Sequence, residues 1–294
     1  PEGLGVGVCS QTGLVRGGNE YDYLLAAATG AGPAGFVAAI ADGMGGVAGG
    51  AEASRTALRA LGGALLDGAE GPDAQRMRRA FAAASERVLE AADAVPALRD
   101  MGTTMTAVWF GDGRAVVGHV GDTRLYRVRE GACRPLTEDH AVGEGESLLT
   151  RCIGGGQADS TVDEAEFELA AGDRFVLVSD GVWNVVPEAS FARLAASGPP
   201  AAAAERLVQA ALDGGGPDNA TAVVVDVRVP AFGGRTTDVD LPRTERPGVR
   251  AQWPRPVSLR VQLWPWLVLA AAVVVLAWAG RRLVGVDVLR ELGG

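Results

Sequence analysis

The segment FVAAIADGMGG, residues 36–46, decides how this sequence folds, because an apolar run typical of a buried strand ends there at Asp42 and continues into glycines. Two more aspartates stand at ends of apolar runs, Asp180 in FVLVSDG (175–181) and Asp218 in GGGPDNATAVVVDV (214–227). A carboxylate at a strand end points away from the core, and a small residue after it lets a ligand approach the backbone. The pattern predicts a site for hard cations such as Mg²⁺ or Mn²⁺, which prefer oxygen ligands.

Strands and helices are predicted to come in blocks rather than in regular alternation. Residues 106–126 show a pattern typical of strand, tight turn and strand, namely TAVWF, GDGR and AVVGHVGDTRLY. This pattern favours an antiparallel sheet. Helical spacing occurs instead at 49–66, 72–94 and 188–212, the last with two prolines inside it. Together these blocks indicate an α+β layered fold.

The C-terminal part of the chain differs in composition from the predicted domain at 1–229. The uncharged run LWPWLVLAAAVVVLAWA, residues 263–279, has tryptophans near both ends and arginines on both flanks, which predicts one transmembrane helix at 263–280. A buried core helix is the alternative. Residues 230–262, rich in Pro and Arg, indicate an extended juxtamembrane linker, and 281–294 a short tail. More arginines before the span than after it favour a cytoplasmic N-terminal domain at the cell membrane.

Composition excludes some classes of function. The formal charge of −9 makes nucleic-acid binding unfavourable, because phosphate contacts need a basic surface. The three cysteines, Cys9, Cys133 and Cys152, are far apart and odd in number, which favours a reducing compartment over a disulfide framework.

Eight short motifs follow one another in an order that identifies a family. They are VRGGNE (15–20), ADGMGG (41–46), MGTTMTAVWF (101–110), GHVGDTRLY (118–126), LTEDH (136–140), LLTRCIGG (148–155), VLVSDG (176–181) and PDNAT (217–221). Over roughly residues 5–228 the chain resembles the metal-dependent protein phosphatases, the protein phosphatase 2C-like family, in its bacterial serine/threonine branch. The resemblance implies a four-layer α-β-β-α sandwich of two antiparallel sheets flanked by helices, to which this chain would add its C-terminal transmembrane helix.

The resemblance also implies a use for the aspartates. Two Mn²⁺ or Mg²⁺ ions would lie between the sheets and lower the pKa of a bridging water, so that hydroxide attacks the phosphorus of phosphoserine or phosphothreonine. Asp42 would bind both ions. The carbonyl of Gly43 and the carboxylate of Glu20 would serve one ion, and Asp180 and Asp218 would complete the other.

Further roles are implied around this centre. Arg16 would clamp the phosphate, since a planar guanidinium matches two phosphate oxygens. Asn219 would orient a ligand or its water, and Thr104 would support the cleft. Asp139 matches a position that, with Asp180, can hold a third and weaker ion.

Each of these residues also has a plainer interpretation. Asp42, Asp180 and Asp218 are ordinary turn residues when taken singly, because Asp before Gly or Asn caps strand ends. Arg16 alone is typical of a surface salt bridge. Asp122, in GDTR, is expected to hydrogen-bond backbone and to serve structure rather than a metal ion.

Two departures from the family pattern lie next to the predicted metal ligands. Tyr21 follows Glu20 where the family has Asp, and Asp22 comes one place late. Because strand side chains alternate, this shift would turn Asp22 to the opposite face unless a bulge restores it, so Asp22 is predicted at most to contact a metal-bound water. Met44 stands where animal relatives carry a His that protonates the leaving oxygen.

A third departure lies between His140 and Leu149, where AVGEGESL (141–148) replaces the flap subdomain of many bacterial relatives. An open cleft is expected, with selectivity that comes from membrane tethering beside a membrane-associated Ser/Thr kinase and its phosphoprotein targets. A phosphoserine regulator of a sigma-factor or secretion circuit is an alternative substrate. The alternative from another class is a membrane-tethered pseudophosphatase that binds partners and regulates them.

Overall fold

A computed structural model describes residues 3–28, 35–66, 73–142, 148–156 and 158–229. The chain divides into two units, Pro1–Val239 and Asp240–Gly294, and every described residue lies in the first. The predicted linker at 230–262, transmembrane helix at 263–280 and tail at 281–294 lie outside the described residues. Within the described ranges, no helix is both long and apolar enough to cross a membrane.

The secondary structure is dominated by short strands, with long helices in two places. In chain order the described strands are β1 (Leu4–Gln11), β2 (Tyr21–Ala27), β3 (Gly35–Met44), β4 (Gly102–Thr103), β5 (Met105–Gly111), β6 (Arg114–Val120), β7 (Arg124–Arg129), β8 (Ala132–Pro135), β9 (Ala141–Val142), β10 (Leu148–Leu149), β11 (Ile153–Gly154), β12 (Asp163–Glu168), β13 (Arg174–Val178) and β14 (Ala220–Val227). The described helices are α1 (Gly46–Leu66), α2 (Ala74–Ala94), α3 (Asp180–Trp183), α4 (Glu188–Ala196) and α5 (Pro200–Asp213), with a 3₁₀ turn at Pro96–Leu98.

The strands form two main antiparallel sheets. Among the described residues, one sheet has the order β1-β14-β13-β7-β8, and the other has the order β11-β4-β3-β5-β6-β12 with β2 also paired to β3. Among the described residues, the short strands β9 and β10 pair with each other, one before and one after residues 143–147.

Three apolar cores separate four layers. Between the sheets, Phe110 of β5 meets Phe175 of β13 edge to face at 5.2 Å, an arrangement that adds about 0.5–1.5 kcal/mol to the burial of the rings. Leu61 and Phe81 belong to the core under α1 and α2, and Leu207 belongs to the core under α4 and α5. The predicted sandwich of two antiparallel sheets flanked by helices is confirmed.

The helix predictions differ from the structure in the number of helices within 188–212 and in the start of α1. The stretch 188–212, predicted from one helical pattern, contains two helices, because α4 ends at Ala196 and α5 begins at Pro200. Proline has no N–H to donate inside a helix and is tolerated in its first turn. The helix predicted at 49–66 starts three residues after the observed one, since α1 begins at Gly46.

Alternation along β3 positions the functional site. Phe36 and Ile40 belong to the core between the sheets, whereas Val37 and Ala39 belong to the core under α1 and α2. Because successive side chains of a strand point to opposite faces, Asp42 continues the first series. Its carboxylate therefore lies on the inter-sheet side, at the end of the strand.

Candidate active site

Three aspartates converge at one end of the space between the sheets. Asp42 lies near the end of β3, Asp180 is the first residue of α3 directly after β13, and Asp218 lies two residues before β14. Since β13 and β14 are antiparallel neighbours, the end of one and the start of the other share an edge. Burial and the nearby carboxylates, Asp180 first and then Asp122 and Asp218, raise the pKa of Asp42 well above its usual range.

The hydroxyl of Tyr21 lies among these carboxylates. Tyr21 is directly opposite Asp42 in the β2–β3 pair, so both side chains emerge on the inter-sheet face. The hydroxyl donates to Oδ1 of Asp180 at 2.6 Å and lies near enough to Asp42 for the charge of that carboxylate to act on it. Burial, and then the charges of Asp42 and Asp180, raise the pKa of Tyr21 far above its usual value, so the phenol keeps its proton as a donor.

Asp22 points to the other face of the sheet. The β2–β3 register runs without a bulge, and Asp22 pairs with Ala41, whose side chain belongs to the core under α1. Burial raises the pKa of Asp22, and the charges of Arg55 and Arg59 on α1 act against this rise. The predicted contact between Asp22 and a metal-bound water is therefore corrected: the extra residue in the chain turns this carboxylate toward α1.

Glu20 and Gly43 present two oxygens to the same small space beside α1. A Cβ built on Gly50 would lie 2.2 Å from Oε2 of Glu20 and 2.7 Å from the carbonyl oxygen of Gly43, both far inside contact distance. A carboxylate and a carbonyl oxygen are donors that Mg²⁺ and Mn²⁺ accept. Gly50 keeps the space between them free of side-chain atoms.

The donor set fits hard cations in its chemistry. Every candidate ligand, namely Glu20, Asp42, the carbonyl of Gly43, Asp180 and Asp218, offers oxygen. As they stand, no three or more His, Cys, Asp or Glu side chains in the described part of the chain are spaced to hold a metal ion. The crowding of like charges at Asp42 would be relieved when a cation joins them.

Arg16 lies at the exposed edge of the acidic cluster. Its side chain is 49% exposed, and its Nη2 donates to Oδ2 of Asp218. This hydrogen bond is the main cause that raises the pKa of Arg16. The guanidinium is thus held beside a candidate metal ligand while it remains open to solvent, where a phosphate group can approach both.

Asn219 holds the loop that carries Arg16. Its side-chain oxygen accepts a hydrogen bond from the backbone N–H of Gly13 at 3.1 Å, and the residue is 1% exposed. The N–H of Leu14 donates to the carbonyl of Gly216 at 2.8 Å and ties the same loop to the segment before β14. The side-chain oxygen of Asn219 therefore anchors this loop, and its role in orienting a ligand or its water stays a prediction.

Two threonines fix the backbone of Asp42. The N–H of Thr104 donates to the carbonyl of Asp42 at 2.9 Å, and the N–H of Asp42 donates to Oγ1 of Thr104 at 3.3 Å. The hydroxyl of Thr103 donates to the same carbonyl at 2.8 Å. Thr104 therefore holds the backbone of a candidate ligand, and its support of the cleft stays a prediction.

Asp122 accepts a backbone hydrogen bond, as predicted, and it also lies near enough to Asp42 and Asp180 for their charges to interact. Burial, and then Asp180 and Asp139, raise the pKa of Asp122 to about 7. The signal was present in the sequence, because Asp122 follows the apolar strand β6 just as Asp180 follows β13. Its backbone carbonyl accepts a hydrogen bond from the indole of Trp183 at 2.9 Å.

Asp139 is held by Arg124 rather than left open. Nε of Arg124 lies 2.9 Å from Oδ1 of Asp139, and Nη2 lies 2.7 Å from Oδ2, a two-pronged ion pair. The same guanidinium stacks 3.4 Å from the centre of a Trp183 ring. A third ion at Asp139 and Asp180 stays a prediction, and it would have to compete with Arg124 for the carboxylate.

A cavity of about 430 Å³ opens beside this ion pair. Its lining includes Glu138, Glu188, Tyr126 and Phe191 together with the Arg124–Asp139 pair. Carboxylates beside aromatic rings suit a cationic or apolar peptide side chain better than a second phosphate.

Comparison with known proteins identifies the family. The model of the protein phosphatase 2C family matches residues 14–213, and the chain belongs to this family. The serine/threonine protein phosphatase PstP of Mycobacterium tuberculosis is 34% identical over 235 residues, which cover 74% of this chain and 44% of that protein. The chain therefore spans less than half the length of this relative.

Solved structures agree with the family assignment. The catalytic domain of PstP in complex with two manganese ions has a TM-score of 0.68 at 32% identity, with 77% of this chain and 99% of that chain covered. PppA, a key regulatory component of the type VI secretion system in Pseudomonas aeruginosa, has a TM-score of 0.65 at 28% identity, with 76% and 97% covered. The prediction of a metal-dependent phosphatase of the bacterial serine/threonine branch is confirmed at the level of the family.

Proposed function

We propose that this protein is a metal-dependent phosphoprotein phosphatase that hydrolyses phosphoserine and phosphothreonine esters. The observation that carries the proposal is the placement of Arg16 against Asp218 at the exposed end of the inter-sheet acidic cluster. A phosphate dianion that arrives there meets a guanidinium on one side and the cation-binding carboxylates on the other. Family membership and the similarity to PstP support the same activity.

Each part of the site has a separate task in this reaction. Two Mn²⁺ or Mg²⁺ ions, when bound, supply positive charge and an activated water for attack at phosphorus. The three aspartates would hold them from the inter-sheet side, and Glu20 with the carbonyl of Gly43 from the side of α1. Arg16 would bind two phosphate oxygens and so orient the ester for in-line attack. Met44 carries no transferable proton, so it cannot protonate the leaving oxygen.

Turnover of a phosphothreonine peptide by the full chain tests this function. Activity is expected with Mn²⁺ and none with EDTA. Asp42→Asn and Arg16→Ala are each expected to lower kcat/KM by about 100-fold or more, because each removes preorganised charge at the reacting group. If the parent chain shows no turnover with Mn²⁺ or Mg²⁺, the proposal fails.

Tyr21 supports a second candidate function, a pseudophosphatase that binds phosphoproteins without hydrolysis. Its hydroxyl donates to Asp180 and Tyr21 stands opposite Asp42, where it would oppose ion binding. The presence of Arg16, Glu20 and all three aspartates favours the enzyme. A phosphopeptide that binds the full chain with Mn²⁺ present but is not hydrolysed would favour the pseudophosphatase.

We also propose that residues 263–280 anchor the protein in the cell membrane with its phosphatase domain in the cytoplasm. The apolar run, its tryptophans and the arginines that flank it support this. The substrates would be phosphoproteins at the same membrane, such as a Ser/Thr kinase and its targets, and the short segment AVGEGESL (141–148) would leave access to the site open. The alternative is a phosphoserine regulator in a sigma-factor or secretion circuit. Membrane fractionation of the full chain beside a chain that ends at residue 229 tests the anchor: equal partition of both into the soluble fraction would refute it.

A further inference from the structure

We infer that Tyr21 acts as a built-in competitor for metal at this site: its hydroxyl occupies the space between Asp42 and Asp180 that an ion shared by the two carboxylates would need. The inference rests on the metal site of the proposed function. It concerns how tightly the site binds an ion, which can be measured whether or not the protein is active.

The backbone fixes the position of the tyrosine. The β2–β3 register places Tyr21 opposite Asp42 on the inter-sheet face, and the N–H of Tyr21 donates to the side-chain oxygen of Asn19 at 3.1 Å. The residue is 9% exposed, so its ring is packed rather than free to swing into solvent. Because the register continues without a bulge to Ala27, the side chain cannot leave this face unless the strand is shifted.

The hydroxyl and a cation would compete for the same oxygens. The phenol oxygen lies 2.6 Å from Oδ1 of Asp180, and Tyr21 stands directly opposite Asp42 in the strand pair. An ion bound by both carboxylates at about 2.1 Å would overlap that oxygen, or would have to take it as a further ligand. In either case the hydrogen bond to Asp180 must break before the ion binds.

The same hydrogen bond stabilises the metal-free protein. Asp42 and Asp180 crowd their negative charge in a buried place, where an unrelieved charge is costly. A phenol donor offsets part of that cost, because a hydrogen bond to a carboxylate is among the stronger ones in proteins. The tyrosine therefore shifts the balance from the loaded toward the metal-free state.

Calorimetric titration of Mn²⁺ into the full chain tests the inference, with Tyr21→Phe beside the parent. Phe keeps the ring and removes only the donor. We expect the Kd of the more weakly bound Mn²⁺ ion to fall about tenfold in Tyr21→Phe, which corresponds to about 1.4 kcal/mol of binding free energy. In EDTA the Tm of the same variant is expected to be about 2–4 °C lower than that of the parent, since Asp180 loses its phenol donor.

Tyr23→Phe is the matched control. It makes the same chemical change two residues along the same strand, where the side chain is 38% exposed, and it is expected to leave the Kd for Mn²⁺ and the Tm in EDTA unchanged. An unchanged or weaker Mn²⁺ affinity in Tyr21→Phe would overturn the inference, because the hydroxyl would then be a bystander or a metal ligand. Binding of no Mn²⁺ by either chain would overturn it as well.

Turnover measured on the same samples separates this inference from the proposed function. If Tyr21→Phe binds Mn²⁺ more tightly but neither chain hydrolyses phosphopeptide, the inference stands and the enzyme proposal fails. If the parent is active and Tyr21→Phe gains no affinity, the enzyme proposal stands and the inference fails.

Discussion

Gly50→Ala is the sharpest test of where the metal ligands lie, because it adds one methyl group between two of them. The new Cβ would lie 2.2 Å from Oε2 of Glu20 and 2.7 Å from the carbonyl oxygen of Gly43. Ordinary contacts begin at 3.4 Å, so the Glu20 carboxylate has to retreat by more than 1 Å. A displacement of this size at a reacting group costs about 100-fold in rate.

Stability is expected to change much less than activity. Glu20 can move because its carboxylate is the far end of a flexible side chain, and Ala in a helix interior is favoured over Gly by about 0.5–1 kcal/mol. That gain offsets only part of the clash with the backbone of Gly43, whose carbonyl oxygen and carbon would lie 2.7 and 2.8 Å from the new Cβ and would have to shift. We therefore expect a folded protein whose kcat/KM is about 100-fold lower and whose half-saturating Mn²⁺ concentration is higher.

Gly63→Ala supplies the control on the same helix. A Cβ at Gly63 would meet nothing within 4 Å, so this variant should gain the helical stabilisation and keep full activity. Circular dichroism and thermal unfolding show whether both variants fold, and peptide turnover against Mn²⁺ concentration measures the site. Parent-like turnover and Mn²⁺ dependence in Gly50→Ala would refute the placement of Glu20 and Gly43 around one ion.

Three further predictions concern pH and stability. Burial, and then the nearby His140, lower the pKa of His119 to about 4 in the folded protein. As the pH falls, the imidazole is therefore protonated in the unfolded chain before it is protonated in the folded one. About 3 kcal/mol of stability should be lost between about pH 6.5 and pH 4. Urea unfolding at both pH values should show a smaller loss in His119→Gln. Thr104→Val removes the acceptor for the N–H of Asp42 and should cost about 1 kcal/mol in urea unfolding. Arg174→Met leaves its partner Asp226 and several carbonyl oxygens without their donor, and a loss of about 3 kcal/mol in thermal unfolding is expected.

Each of these three predictions has an outcome that would contradict its physical argument. An equal pH-dependent loss in His119→Gln and the parent would assign the acid sensitivity to other groups. A Thr104→Val variant as stable as the parent would mean that water replaces the lost hydroxyl. An Arg174→Met variant that unfolds with the parent would show that the ion pair with Asp226 only offsets its own desolvation.

The layered fold could be predicted because its signals are local and mutually consistent. Apolar runs that end at Asp42 and Asp180, the tight turn between β5 and β6, and long helical patterns each specify an element without knowledge of its partners. The break between α4 and α5 was visible as two prolines, yet the sequence alone did not show whether they end a helix or begin one.

The parts of the site that escaped prediction depend on which face of a strand meets which partner. Tyr21 was recognised as a departure, but its contact with Asp180 follows from the β2–β3 register and from a residue far along the chain. Asp122 and Asn219 were assigned by analogy, whereas their surroundings are set by the packing of the two sheets. Burial and charge from distant elements decide what such side chains do, and no local pattern encodes them.

The two-sided character of β3 restricts how this protein can diverge. Alternate residues of the strand serve two different cores, with Phe36 and Ile40 on one side and Val37 and Ala39 on the other. A one-residue insertion within the strand would exchange these sets and, in the same step, turn Asp42 away from Asp180. The same alternation of side chains therefore determines both the packing of the two cores and the direction of Asp42. A change in the length of β3 would be selected against because it disrupts folding, even without selection for activity. A related protein can lose activity and still fold if side chains of the site are replaced, for example Asp42 itself, because such a replacement leaves the sandwich intact.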